Sequence, residues 1–234
     1  IARELYIWSK LKHKNILPFL GYIQDAEYPC LVSEWIESGS LAALLRHAPM
    51  IRPISHNPVG KRIILGIAEG LSYLHASNVV HSDIKPDNIL ISSSGEPLLC
   101  DFGISRMLIA TQTFNTTTGN GAVRGSTRWM APELLDMDDP QLHSKQSDIW
   151  AMGMTLYELL SGNLPYSQHK HDIQVMLAIL RCDLPCVRLP TSREAGADLP
   201  LWSICQLCWN RNCNMRPNSP SIRQGVEEHF LDLY

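Results

Sequence analysis

His81-Ser82-Asp83-Ile84-Lys85-Pro86-Asp87-Asn88 is followed directly by the apolar Ile89-Leu90-Ile91 and then by Asp101-Phe102-Gly103. Within this stretch a carboxylate, an ammonium, an amide and a second carboxylate stand in fixed order as Asp83, Lys85, Asn88 and Asp101. A lone Asp-x-Lys-x-x-Asn is weak, because such short patterns arise by chance. Its weight comes from the motifs downstream of it: Ala131-Pro132-Glu133, then Ser147-Asp148-Ile149-Trp150-Ala151-Met152-Gly153, then Arg216-Pro217.

The four side chains match one kind of chemistry. Phosphoryl transfer needs a base for the attacking hydroxyl, a cation near the moving phosphate and oxygen ligands for magnesium, since catalysis there is mostly positioning and charge neutralisation. Asp83, Lys85, Asn88 and Asp101 supply those parts.

Composition narrows the rest. At 234 residues, 45% hydrophobic and 18% charged, the chain is long and apolar enough to bury a sizeable core. No Pro, Gly or Ser-rich linker divides it, so one continuous unit is expected. A formal net charge of -3 gives no electrostatic reason to expect nucleic acid or an anionic membrane as partner. No apolar run approaches the roughly 20 residues that cross a bilayer, and an intracellular, cytoplasmic location is expected. The seven cysteines are an odd number scattered through apolar stretches, which favours reduced thiols. Cys205 and Cys208 form a C-x-x-C, but no second pair completes a zinc site, and Trp202, Cys205, Cys208 and Trp209 fall at the spacing of one helix face.

Periodicity predicts a helix over Ala2 to His13, with Leu5, Trp8 and Leu11 on one side, and two extended runs around Asn15 to Ile23 and Cys30 to Trp35. Ser38-Gly39-Ser40 can cap a helix from Leu41 to His47. A longer helix runs from Lys61 to His75, where Ile63, Ile64, Ile67, Leu71 and Leu74 form a stripe. Thr111 to Gly121 reads as an exposed, mobile loop. Helices return from Lys145, over Asp148 to Leu160, Asp172 to Leu180, Leu199 to Asn210 and Ser219 to Leu231. A small strand-bearing part thus precedes a larger helical part.

Taken in order along the chain, these motifs resemble the eukaryotic protein kinase domain, serine/threonine type, and the resemblance covers essentially the whole sequence. Gly125-Ser126-Thr127-Arg128-Trp129-Met130-Ala131-Pro132-Glu133 and Glu34-Trp35-Ile36-Glu37-Ser38-Gly39-Ser40-Leu41 are most similar to its tyrosine-kinase-like group. The resemblance implies an α+β, bilobal fold: residues 1–35 a partial small lobe containing β-structure, 36–40 the hinge, and 41–234 a mainly helical lobe. It implies ATP and Mg2+ as cofactors and a protein serine or threonine as substrate; oligomeric state is not legible.

Carried over by residue, the resemblance makes Asp83 the catalytic base, and Lys85 a contact to the transferred phosphate and a mark of the serine/threonine branch. Asn88 and Asp101 hold magnesium. Glu4 matches the glutamate that pairs with the ATP-anchoring lysine. Glu34 and Ile36 meet adenine through their backbone beside Ser33 as gatekeeper, with Leu90 as the pocket floor. Ser126 binds Asp83 and Lys85 and shapes the substrate site. Trp8, Phe19, His81 and Phe102 form a stacked column based on Asp148, and Glu133 pairs with Arg216 as a structural clamp.

The sequence departs from that pattern in three places. The glycine-rich loop and ATP lysine belong before Glu4, where three residues remain, so the isolated chain is expected to be nearly inactive. Ser82 stands where most kinases carry an arginine that grips an activation-segment phosphate, and Cys213 stands where a proline is usual. A non-catalytic module of the same fold is the alternative, and a kinase acting on small molecules ranks third. Retention of all four polar groups favours the protein kinase.

Overall fold

The computed structural model describes residues 2–25, 28–47, 57–102, 106–107, 126–136, 138–139, 141–185 and 199–231. The threonine-rich loop expected over Thr111 to Gly121 lies outside them.

Helix α1 spans Ala2–Trp8, shorter than the expected run to His13. It tightens into turns in which the N–H groups of Lys10 and Leu11 donate to the carbonyls of Ile7 and Trp8, each at 3.1 Å. Beyond them tertiary ties take over: the Lys12 N–H donates to the Tyr73 hydroxyl at 2.9 Å, and His13 stacks on Tyr73 with ring centroids 4.8 Å apart. Strands β1 (Phe19–Asp25) and β2 (Tyr28–Ser33) pair antiparallel. The first expected strand began at Asn15, but Asn15 and Leu17 bond instead to Leu99. The Leu17 N–H donates to the Leu99 carbonyl and the Leu99 N–H to the Asn15 carbonyl, both at 2.9 Å.

Helix α2 (Leu41–His47) begins where Ser40 Oγ accepts the Ala43 N–H at 3.2 Å. Helix α3 (Pro58–Ala76) starts before the expected Lys61. Asn57 accepts the Val59 N–H through its side chain, and Pro58 occupies the first turn, where a missing N–H costs nothing. The Ile63, Ile64, Ile67, Leu71 and Leu74 stripe is buried as the periodicity requires. Gly66 on this helix lets the chain approach closely: a Cβ there would lie 2.5 Å from Pro97 and 2.6 Å from the Asn15 amide.

Next come β3 (Val79–Val80), β4 (Ile89–Ile91), β5 (Pro97–Leu99) and β6 (Arg106–Met107). Strands β3 and β6 pair, and β4 and β5 form a hairpin with Ile89 opposite Leu99. Helices α4 (Lys145–Ser161), α5 (Asp172–Leu180), α6 (Leu199–Cys208) and α7 (Ser219–Leu231) complete the order. Ser144 and Ser147 close a reciprocal capping box at the start of α4, and Gly162 ends it in the left-handed region at φ 67°.

One buried apolar cluster joins α1 to the helical part, running from Ile7, Trp8, Ile16 and Leu17 through α3 to α4, α6 and α7. Trp202, Cys205, Cys208 and Trp209 are all buried within it, so the C-x-x-C is a helix face packed into the core. Burial pushes the Cys208 thiol up to about 12. Among the described residues no helix is long and apolar enough to cross a membrane.

Candidate active site

The loop between β3 and β4 and the start of the Thr127–Trp129 turn converge on one point. Pro86–Asn88 forms a single 3-10 turn after Lys85, closed by the Asn88 N–H donating to the Lys85 carbonyl at 3.0 Å. This turn folds Lys85 and Asn88 back over Asp83. The Lys85 ammonium donates to Asp83 Oδ2 at 2.7 Å and to Ser126 Oγ at 2.6 Å. The Asn88 amide nitrogen donates to Asp83 Oδ2 at 2.7 Å and to the Asp83 carbonyl at 2.9 Å. One carboxylate oxygen of Asp83 therefore receives both a cation and an amide, while Asp83 and Lys85 are mostly withdrawn from water. In so dry a setting each charge-assisted bond is stronger than at a surface.

The β4–β5 hairpin places the second carboxylate. The Cys100 N–H donates to the Asn88 carbonyl at 3.0 Å, so the residue before Asp101 is bonded to the residue that closes the Asp83 cluster. Asp101 is exposed and adopts φ 64°, a left-handed backbone that costs a non-glycine residue energy and recurs at functional sites. Burial and then the Asp101 charge push the neighbouring Cys100 thiol up to about 12. Ser82, on the other side of Asp83, adopts φ 75°.

Behind this cluster the aromatic column is assembled. Ring centroids of Trp8 and Phe19 lie 5.3 Å apart, of Trp8 and Phe102 5.9 Å, and of His81 and Phe102 5.4 Å. Asp148, buried in the first turn of α4, forms its base: Oδ2 accepts the His81 N–H at 2.8 Å and Oδ1 the Ser82 N–H at 2.9 Å. Burial lowers the His81 imidazole below its usual value, partly opposed by the charges of Asp148, Asp83 and Asp101. Its Nε2 lies 3.0 Å from the Cys100 carbonyl, which fits a neutral ring donating there.

Glu133 and Arg216 meet as a two-pronged pair, Nη1 to Oε1 at 2.6 Å and Nη2 to Oε2 at 2.7 Å. The Arg216 side chain is fully buried and also donates to the carbonyls of Asn210 and Gln146 while lying over the Trp150 ring at 5.1 Å.

The expected adenine contacts are placed less simply. Leu90 is half-buried on β4 beside the 36–40 segment, where the Ile91 N–H donates to the Gly39 carbonyl at 3.0 Å. Glu34 and Ile36 line a cavity of about 580 Å³ whose other walls include His13, Pro18, Ser93 and Leu98. Neither Leu90, Asp83 nor Asp101 borders it, so it is separate from the Asp83 cluster. The Glu4 backbone belongs to α1, but its side chain lies outside the described residues.

Sequence reasoning missed three contributors. His75 Nε2 lies 2.9 Å from Asp148 Oδ2, joining α3 to the base of the column. Asn15 donates to the Pro97 carbonyl at 3.0 Å and anchors the segment before β1. The Arg128 guanidinium donates to three main-chain carbonyls between α4 and α5. Only His75 carried a local signal, as a polar residue at the end of an apolar stripe.

The model of the protein kinase domain family matches residues 1–231. The chain belongs to the protein kinase family. Its kinase domain is similar to the serine/threonine-protein kinase STY46 of Arabidopsis thaliana, 28% identical over 97% of this chain and 36% of that protein. It is also similar to MAP3K epsilon protein kinase 2 of Arabidopsis thaliana, 32% identical over 95% of this chain and 15% of the relative. The Raf homolog serine/threonine-protein kinase of Caenorhabditis elegans is 30% identical over 89% of this chain and 26% of its own length. The kinase domain thus spans well under half of these relatives, and the serine/threonine-type resemblance of its motifs agrees with their names.

Proposed function

We propose that the protein transfers the γ-phosphoryl group of ATP to serine or threonine hydroxyls of proteins. The observation that carries this reading is the Asp83 carboxylate, gripped by Lys85 and Asn88, with Lys85 extending to Ser126. Residues 36–40 act as the hinge between a small part, 1–35, and the helical part, 41–234.

Asp83 orients the substrate hydroxyl and takes its proton. Hydrogen bonds from Lys85 and Asn88 to one oxygen leave the other, Oδ1, to face the hydroxyl. Lys85 stabilises the negative charge that develops on the transferred group, in a site dry enough for that charge to be felt. Ser126 holds the Lys85 ammonium and shapes the space for the hydroxyl side chain. The adenine site in this reading is not the cavity that Glu34 and Ile36 line, which Leu90 does not border: their backbone bonds adenine on the side facing Leu90, which floors it, and Glu4 orients an ATP-anchoring lysine.

Magnesium fits the donor set. The Asn88 amide nitrogen is committed to Asp83, which turns the amide oxygen outward as a ligand, and Asp101 presents an exposed carboxylate one residue beyond the Asn88–Cys100 bond. Mg2+ is commonly held by one or two such oxygens, with phosphates and water completing its shell. Bound there by Asn88 and Asp101, it would neutralise phosphate charge.

The test is peptide phosphorylation by the intact protein and its Asp83→Asn variant. A general base contributes about 10² to 10⁴ in rate, so a loss of that size is expected. Equal rates would remove Asp83 from its role.

A further inference from the structure

We propose that Arg128 is a positioning residue for the substrate hydroxyl site, acting through Ser126; this rests on the proposed role of Ser126 in shaping that site. Ser126 accepts the Lys85 ammonium at 2.6 Å and is the first described residue after the 108–125 stretch. Its place is set from the C-terminal side. The Trp129 N–H donates to the Ser126 carbonyl at 3.0 Å, closing a tight turn in which Thr127 and Trp129 are buried. Within that turn Arg128 points the other way, into the loop joining α4 to α5.

There the guanidinium donates from Nη1 to the carbonyls of Pro165 and Tyr166, both at 2.8 Å, and from Nη2 to the carbonyl of His169 at 2.9 Å. The loop is a firm anchor. Tyr166 is fully buried, its backbone is held at φ 57°, and the His169 N–H donates to its carbonyl at 2.9 Å. Three carbonyls read by two nitrogens of one planar group fix both the distance and the tilt of the turn. A lysine, with a single nitrogen, cannot span the same carbonyls. The connection therefore runs from the α4–α5 loop through Arg128 and one rigid turn to Ser126, then to Lys85 and Asp83. A shift of about 1 Å at such a site costs on the order of 100-fold in rate.

The experiment is a double-mutant cycle in the intact protein with Arg128→Lys, Ser126→Ala and the pair, measuring kcat and KM for a peptide substrate and KM for ATP. Arg128→Lys is expected to lower kcat/KM for peptide by about 10 to 100-fold, leaving KM for ATP within about twofold. The double variant should be no worse than the poorer single variant, because two residues acting in series are not additive. Losses that multiply, or an Arg128→Lys enzyme with unchanged peptide kinetics beside an impaired Ser126→Ala enzyme, would overturn the proposal. A Ser126→Ala enzyme with normal peptide kinetics would instead defeat the underlying role of Ser126. Should Arg128→Lys fail to fold, Arg128→Gln takes its place in the cycle. If neither folds, Arg128 holds the fold and not the site, and the proposal fails.

Discussion

Asp148 Oδ1 accepts the main-chain N–H of Ser82 at 2.9 Å, across 66 residues of sequence. Ser82 stands at φ 75°, and its own hydroxyl is buried without a hydrogen-bond partner among the described residues. The strained backbone beside Asp83 is thus held by one carboxylate, which also receives the His81 N–H and contacts His75.

Replacing that carboxylate should be costly. In Asp148→Asn one acceptor becomes an NH2 facing a main-chain N–H, and a charged hydrogen bond of about 1.5–3 kcal/mol is lost. A drop of that order in unfolding free energy is expected from urea denaturation. An unchanged midpoint would show that Asp148 does not hold the column.

Ser82 has neither the charge nor the reach to pair with a phosphate on the activation segment. Alanine at Thr111, Thr113, Thr116, Thr117 and Thr118 together should leave peptide phosphorylation by the intact protein within about threefold of the parent, since no new arginine–phosphate bond at residue 82 is lost. Abolished activity in that variant counts against the prediction.

The Glu133–Arg216 pair predicts an asymmetry. Arg216→Ala strands the Glu133 carboxylate and leaves the Asn210 and Gln146 carbonyls without their donor, and should destabilise the domain by about 3–5 kcal/mol. The joint replacement Glu133→Leu with Arg216→Met removes both charges and should recover part of that loss. Thermal unfolding of the two variants decides it; equal destabilisation would mean that packing against Trp150, and not the stranded charge, sets the cost.

His81 links stability to pH. Its folded value is lowered by burial below the usual 6.5, so the unfolded chain binds the proton first. The stability of the neutral ring is full above pH 6.5 and is lost as pH falls from 6.5 toward the folded value, at up to about 1.4 kcal/mol per pH unit. Burial lowers His13 as well, which adds to the slope. His81→Phe should flatten the slope between about pH 6.5 and 5, leaving the His13 part; an identical slope would show that His81 does not titrate in this window.

Much of the site was legible because its spacing is local. Asp83, Lys85 and Asn88 lie within six residues, so their order nearly dictates their meeting, whereas the column at Trp8, Phe19, His81 and Phe102 is legible only through the family resemblance, because its members stand far apart along the chain. Helix limits were less legible. The end of α1 is decided by Tyr73, far along the chain, and the start of α3 by the Asn57-Pro58 cap that periodicity alone passes over.

By itself the sequence determined the family, the order of elements and the identity of the groups near Asp83, since these depend on residue type and short separations. Only the tertiary structure decided that Arg128 ties the turn beside Ser126 to the α4–α5 loop, and that Glu34 and Ile36 line a cavity apart from Leu90. The reason is physical. Arg128 bonds to main-chain carbonyls, which every residue possesses, so no side-chain pattern can announce such a contact before the chain has folded around it.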